Sequence, residues 1–310
     1  MLPAGIRWPD ISFRWLALLA AITIGVLIAL VGWELYRGSR LAIGQFGPAF
    51  LVRSTWNPVT DQYGAWPFIY GTLVSSAIAL VIAVPLGVAT ALYLTELAPI
   101  RIRQPVIMVV EMLAAVPSVI FGLWGIFVLI PWLRDHLFVW LKTTLGFLPL
   151  FQGPIYGVSM LAAGIVVAIM ILPIITSVSR EILRSVPNLQ REAAYALGAT
   201  HWEVMRIAVL SYAKRGLFGA AVLGLGRALG ETMAVTMVIG NRPEVSASLF
   251  APGYTLASVI ANEFTEATTD LYLSSLFELG LVLLAVTILV NAIAQLMLRS
   301  LAGSGTGKIN

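Results

Sequence analysis

Residues 62–95 contain no Asp, Glu, Lys or Arg, and neither do residues 143–179. A chain cannot keep runs of this length in water. In lipid each run must satisfy its own backbone hydrogen bonds, so it folds as a membrane-spanning helix. The composition agrees: 59% of the 310 residues are hydrophobic and 11% charged, against roughly a quarter charged in soluble domains. The expected fold class is an all-α membrane protein. There is no cysteine, which excludes disulfides and thiolate metal sites, and two histidines make a metal centre improbable. The net charge of +4 is accounted for by lysines and arginines at cytoplasmic helix ends and calls for no nucleic acid.

Six spans follow from the hydropathy pattern, at about Trp15 to Tyr36, Pro67 to Leu94, Pro105 to Trp132, Tyr156 to Val178, Gly216 to Gly240 and Leu271 to Leu298. Pro85 is expected to bend the second span, Pro117 and Gly122 interrupt the third, and Pro173 lies near the end of the fourth. The first span is too long for a signal-peptide core and has no small-residue cleavage site after it, so it reads as an anchor. Residues 37–66 read as a polar loop, 133–155 as an irregular or re-entrant outer segment, and 241–270 as a further loop. The chain divides into an N-terminal segment with its anchor and external loop (1–66), a permease-like core (67–300) and a flexible tail (301–310).

Six spans put both termini on one side. With the termini go the 96–104 turn and the 180–215 loop, and together these carry Arg7, Arg14, Arg101, Arg103, Arg180, Arg184, Arg191, Arg206, Lys214, Arg215, Arg299 and Lys308. The opposite loops carry half as many: Arg37, Arg40, Arg53, Arg134, Lys142 and Arg242. The richer side is expected to be cytoplasmic.

Residues 190–240 join a polar helical segment to an apolar one. Pro187 suits a helix's first turn and Gly198 the left-handed residue that ends it. Thr200 and Glu203 have the spacing of a capping box, so a second helix starts at once. On it Trp202, Met205, Val209 and Tyr212 form an apolar face offered to a partner. Within the spans lie Glu111, Arg227, Glu231 and Glu278. Each costs about 2.5–3.5 kcal/mol at the centre of an inserted helix and so should face protein or water. Arg227 and Glu231 are four residues apart, which places them on one helical face as an ion pair. Either the pair neutralises itself and pins packing, or the arginine contacts an anion in a pathway and Glu231 holds it when substrate is absent.

Glu192, Ala193, Ala194 and Gly198 form an EAA-x3-G pattern, in which this stretch resembles the permeases of ATP-binding-cassette importers. Those permeases usually continue to Leu-Pro, where this chain has Leu210 and Ser211. The stretches at 67–73, 83–96, 114–125 and 224–241, the last reading GLGRALGETMAVTMVIGN, are similar to the phosphate-importer members of that family. The resemblance implies a type I importer permease in an inner membrane, with Arg227 and Glu231 linked to transport. It implies pairing with a second homologous permease, docking of two ATPase subunits on the cytoplasmic loops of the pair (here the 180–215 loop), and delivery of inorganic phosphate by a soluble binding protein. ATP would be bound by the partner ATPases, and no cofactor or catalytic residue is expected in this chain. Two alternatives are a permease for another oxyanion, molybdate or sulfate, and an ion-coupled secondary transporter using Glu111, Glu231 and Glu278 as proton sites. The tail motif GSGTGK (303–308) fails as a phosphate loop, since Ala302 and Ile309 replace required residues. Gly224, Gly226 and Gly230 read as helix-packing glycines and not as a dinucleotide fingerprint.

Overall fold

A computed structural model describes the backbone of residues 8–303 and the side chains of residues 12–299. Arg7, Lys308 and the tail from residue 304 lie outside the described residues. The described residues form helices and the segments that connect them. Among the described residues the only extended pairing is an isolated bridge between Asn57 and Gln62.

Helices α1 (Trp8–Gly38) and α2 (Arg40–Phe46) are followed by α3 (Trp66–Leu92), α4 (Ile100–Ala114) and α5 (Ser118–Leu145). Then come α6 (Met160–Arg184), α7 (Asn188–Ala196), α8 (His201–Leu229), α9 (Met233–Val238), α10 (Leu256–Glu263) and α11 (Asp270–Gly303). Six of them, α1, α3, α5, α6, α8 and α11, are long and apolar enough to cross a membrane. This is the expected number, with several boundaries moved.

The third span is the largest correction. It does not run from Pro105 to Trp132; α4 is a separate helix and the span is α5. Proline lacks an N–H and restricts the residue before it, so the chain breaks at Ala115 to Pro117 and Pro117 caps the new helix. Residues 133–145, which the sequence leaves open between an irregular segment and a re-entrant or interfacial helix, continue α5 through wide, π-type turns. Arg134 and Asp135 pair at 2.8 Å on the exposed surface of this helix and leave its backbone ladder intact. Residues 37–66 and 241–270, read as loops, also hold helices α2 and α10. By contrast, Pro85 sits inside an unbroken α3.

Helix α6 is the axis of the bundle. It packs on α3, α4 and α8, and its buried Val166, Ile171 and Ile175 form the main core with Ala79, Ala83, Phe121 and Val238. Close approach depends on absent side chains at several glycines, Gly224 and Gly71 among them. A Cβ at Gly224 would strike Ile175, and one at Gly71 would strike the Tyr254 carbonyl. Gly226 has open space around it, so of the glycines at 224 and 226 only the first is needed for packing.

At the end remote from α7, an aromatic cluster closes the fold. Trp56, Tyr63, Phe68 and Tyr272 pack edge-on or stacked, with ring centroids 4.9–6.2 Å apart. Glu263 Oε2 ties the cluster together by accepting from Trp56 Nε1 at 2.7 Å and from the Tyr272 hydroxyl at 2.6 Å. Burial, with the Asp61 carboxylate beside it, pushes the Tyr63 phenol up to about 12, so it remains a neutral donor at physiological pH.

The coupling loop and the charged break

The EAA segment folds as two helices with a glycine joint. Gly198 has φ +82, its N–H donates to Tyr195 O at 2.9 Å, and Ala199 N–H donates to Ala194 O at 3.2 Å. These are the two hydrogen bonds of a Schellman stop, which satisfies carbonyls that the end of α7 would otherwise strand. Thr200 and Glu203 then form the expected capping box at the start of α8. Pro187 stands just before α7 as its cap and not within its first turn. The Tyr195 hydroxyl lies 2.6 Å from His201 Nδ1, closing the elbow on its outer side.

The surface of this elbow is exposed and apolar. Glu192, Ala193 and Gly198 are exposed and Ala194 is half-buried, flanked by exposed Leu189, Leu197 and Trp202. The expected apolar face on α8 divides. Trp202 and Tyr212 face outward, but Met205 and Val209 are buried against this chain, Val209 in a small core with Ala91, Leu183 and Val186. The first turns of α8 are therefore part of the bundle. There is no break at Ser211: the helix passes through a wide turn over Val204–Leu210 and continues, with Ser211 Oγ donating to Arg206 O at 3.3 Å. Without the proline, loop and span form one continuous helix.

Sequence reasoning missed the residue that joins this elbow to the other spans. Arg191, next to the EAA glutamate, pairs with Glu96 at 2.8 Å, and both side chains are largely buried. Its nitrogens also donate to Val186 O at 2.6 Å and Leu183 O at 3.2 Å. One guanidinium therefore ties α7 to the end of α3 and caps the last turn of α6. The pattern gave no sign of this, because the partners lie 95 residues apart. Charge reversal of either residue alone sets two like charges side by side in a largely buried place and is expected to raise protease cleavage of the elbow by about tenfold or more. The exchange Glu96→Arg with Arg191→Glu should recover part of the protection. Limited proteolysis of the purified protein checks both outcomes.

Arg227 and Glu231 do not share a helix. Helix α8 ends at Leu229, and Gly230 to Thr232 break the chain before α9. The pair nevertheless forms, with Arg227 Nη2 3.7 Å from Glu231 Oε2, an ion pair too long for a hydrogen bond. The two partners differ sharply, the Arg227 side chain being 46% exposed and that of Glu231 5%. Glu231 Oε1 also accepts the Ala234 N–H at 3.3 Å, which fixes the carboxylate at the start of α9. Helix α9 packs on α5 just beyond the Pro117 break, where Gly122 lies against Ala234 and Met237. A fixed carboxylate thus restrains a cation that still reaches open surface between two broken spans.

The other two carboxylates expected within spans lie elsewhere, and Glu111 is in no span at all. Glu111 is on α4, exposed and 3.4 Å from Arg180. Glu278 is buried on α11 beside an apolar groove, its Oε2 without a partner. The structure brings neither carboxylate to the Arg227 break, and among the described residues no group of carboxylates and histidines is placed to hold a metal.

Six spanning helices, a jointed helix pair at one end and a charged break within a span define a membrane transport permease. The family model described as binding-protein-dependent transport system inner membrane component matches residues 83–303, and the chain belongs to that family. It is 48% identical over 293 residues to the phosphate transport system permease protein PstC of Mesorhizobium japonicum, covering 93% of this chain and 90% of that one. To the protein of the same description from Haemophilus influenzae it is 45% identical, over 94% and 93% of the two chains. Among solved structures, an inward-facing form of the MetNI methionine ABC transporter superposes with a TM-score of 0.52 at 20% identity, covering 77% of this chain and 94% of that one. The fold is that of a type I importer permease.

Proposed function

We propose that this chain is the membrane-spanning permease subunit of an ATP-driven importer of inorganic phosphate. The observation that carries this reading is near-full-length similarity to PstC proteins, joined to a half-exposed arginine restrained at a helix break. Guanidinium forks match phosphate oxygens, and a cation held at 3.7 Å by a fixed carboxylate is free to exchange that partner for a passing anion. In this reading Arg227 is the anion contact, and Glu231 returns the side chain to rest after the anion leaves.

The remaining parts follow from the same reading. The chain pairs with a second, homologous permease to enclose the pathway, and a soluble phosphate-binding protein delivers substrate on the outer face. Two ATPase subunits sit on the cytoplasmic face of the permease pair, one of them docking on the elbow of α7 and α8 through Glu192, Ala193, Ala194 and the apolar residues around them. ATP binds to those subunits, and this chain performs no chemistry of its own. Their closure moves the elbow, and Arg191 passes the movement to α3 and α6. The excess of lysine and arginine on one side supports a topology with the elbow and both termini on the cytoplasmic side of an inner membrane. Residues 67–300 form the transporting core, with residues 1–66 as its anchor and external cap.

The test is uptake of labelled phosphate into proteoliposomes holding the whole complex, with binding protein outside and ATP inside. Uptake that requires ATP, resists uncouplers and is not competed by sulfate or molybdate is expected. Uptake that collapses with uncoupler and ignores ATP would replace this reading with ion-coupled transport, and competition by sulfate or molybdate at equal concentration would change the substrate.

A further inference from the structure

The elbow end of the bundle holds a second cationic site, separate from Arg227. The end of α3, the first turns of α4 and the last turns of α6 enclose a cavity of about 220 Å³. Its polar lining consists of Thr95, Arg103, Gln104, Arg180 and Arg184, and among the described residues that line it there is no carboxylate.

Two of the three guanidiniums are incompletely satisfied, because the Nε of Arg103 and the Nε of Arg180 are buried without a hydrogen-bond partner. Their remaining contacts do not neutralise the cavity. Arg103 Nη2 donates to the Thr95 carbonyl, which carries no net charge. Arg180 meets Glu111 at 3.4 Å and Glu181 at 3.2 Å, and Arg184 meets Glu181 at 3.6 Å. Those glutamates are 58% and 63% exposed, so the attraction is screened by water. A buried donor on a cation calls for an acceptor. Water would satisfy the N–H but leave three guanidiniums against two exposed carboxylates, whereas an oxyanion supplies both the acceptor and the missing charge. The volume exceeds the roughly 30 Å³ share of one water several times over, enough for a tetrahedral oxyanion with part of its hydration.

We propose that this cavity binds a phosphoryl anion. Guanidinium forks recognise phosphoryl oxygens most strongly, and here the Nε donors of Arg103 and Arg180 are buried at the cavity. The group can come from inorganic phosphate in solution or from the headgroup of an acidic phospholipid. The second source is open because α4 carries exposed Ile100, Ile102 and Met108 beside the cavity, a surface for acyl chains. The site shares no residue with the charged break, so it stands whether or not the transported substrate is phosphate.

The experiment uses the assembled complex carrying Arg227→Gln, so that the break does not contribute, with and without Arg103→Gln plus Arg184→Gln. In one arm, inorganic phosphate is titrated into complex held in phosphatidylcholine nanodiscs. In the other, complex extracted from membranes containing phosphatidylglycerol is weighed by native mass spectrometry to count retained lipids. A loss of phosphate affinity of about tenfold or more in the double variant assigns the site to the free anion. Loss of one retained phosphatidylglycerol per copy of this chain, with the phosphate titration unchanged, assigns it to a lipid headgroup. Identical behaviour of parent and variant in both arms overturns the proposal. Arg184 has an exposed side chain, so Arg184→Gln alone gives the same comparison, with a smaller change, should the double variant fail to assemble.

Discussion

Arg227→Gln abolishes phosphate uptake while the complex still assembles, and replacing Glu231 as well does not restore it. This outcome follows from the unequal burial of the pair. Were the ion pair a packing device, both charges would be buried, and removing one would strand the other at a cost of about 3–5 kcal/mol. Only Glu231 is buried, and it keeps the Ala234 N–H as a second partner. Loss of Arg227 therefore leaves a carboxylate that is still hydrogen-bonded, and a neutral glutamine at 227 sits on a half-exposed surface at small cost. Glu231→Gln retains an amide oxygen for the Ala234 N–H, so α9 stays capped while the electrostatic restraint on Arg227 is lost. Its uptake should fall less completely, with phosphate held longer in the pathway, because binding the anion tightly in the resting state does not speed its release. The measurement is uptake by both single variants and the double, each normalised to assembled complex. Wild-type uptake in the double variant would return the pair to a packing role.

The number of spans was legible because charge-free runs can be read without knowing any contact. Where each span stops was less legible, since a stop depends on which local group wins. Pro117 ended a helix as its chemistry demands, but the charges at Arg134 and Asp135 satisfied each other and α5 passed through them. Gly230 was read as interior to a span and instead marks its break, where Glu231 supplies the cap for a new helix. Local motifs fared best: Thr200 with Glu203, and Gly198 with its neighbours, act within a few residues and folded as their spacing required. The Arg191 to Glu96 contact and the arginine-lined cavity join segments far apart in the chain. No periodicity encodes them, and they appear only once α3, α4 and α6 are side by side.

Gly198→Val uncouples ATP hydrolysis from transport without preventing insertion. The space around Gly198 does not forbid a side chain, since a Cβ there meets nothing within 4 Å. The backbone does, because φ +82 lies in the left-handed region, where a β-branched residue is strained by about 1 kcal/mol or more. Relief of that strain requires φ to change, which breaks the two hydrogen bonds of the Schellman stop and rotates α7 relative to α8. The first turns of α8 are held by the buried Met205 and Val209, so the movement falls on α7 and its exposed Glu192 and Ala193. The ATPase would then meet a displaced surface, and hydrolysis would no longer drive the spans. Gly198→Ala, strained less because it lacks the branched carbon, should be intermediate, and Gly198→Asn milder still, because asparagine tolerates the left-handed region. Transport per ATP hydrolysed should therefore fall in the order Gly, Asn, Ala, Val, with equal amounts of chain in the membrane. A series ordered by side-chain volume, with Asn worse than Ala, would show that contact with the partner and not backbone conformation sets the requirement at this joint.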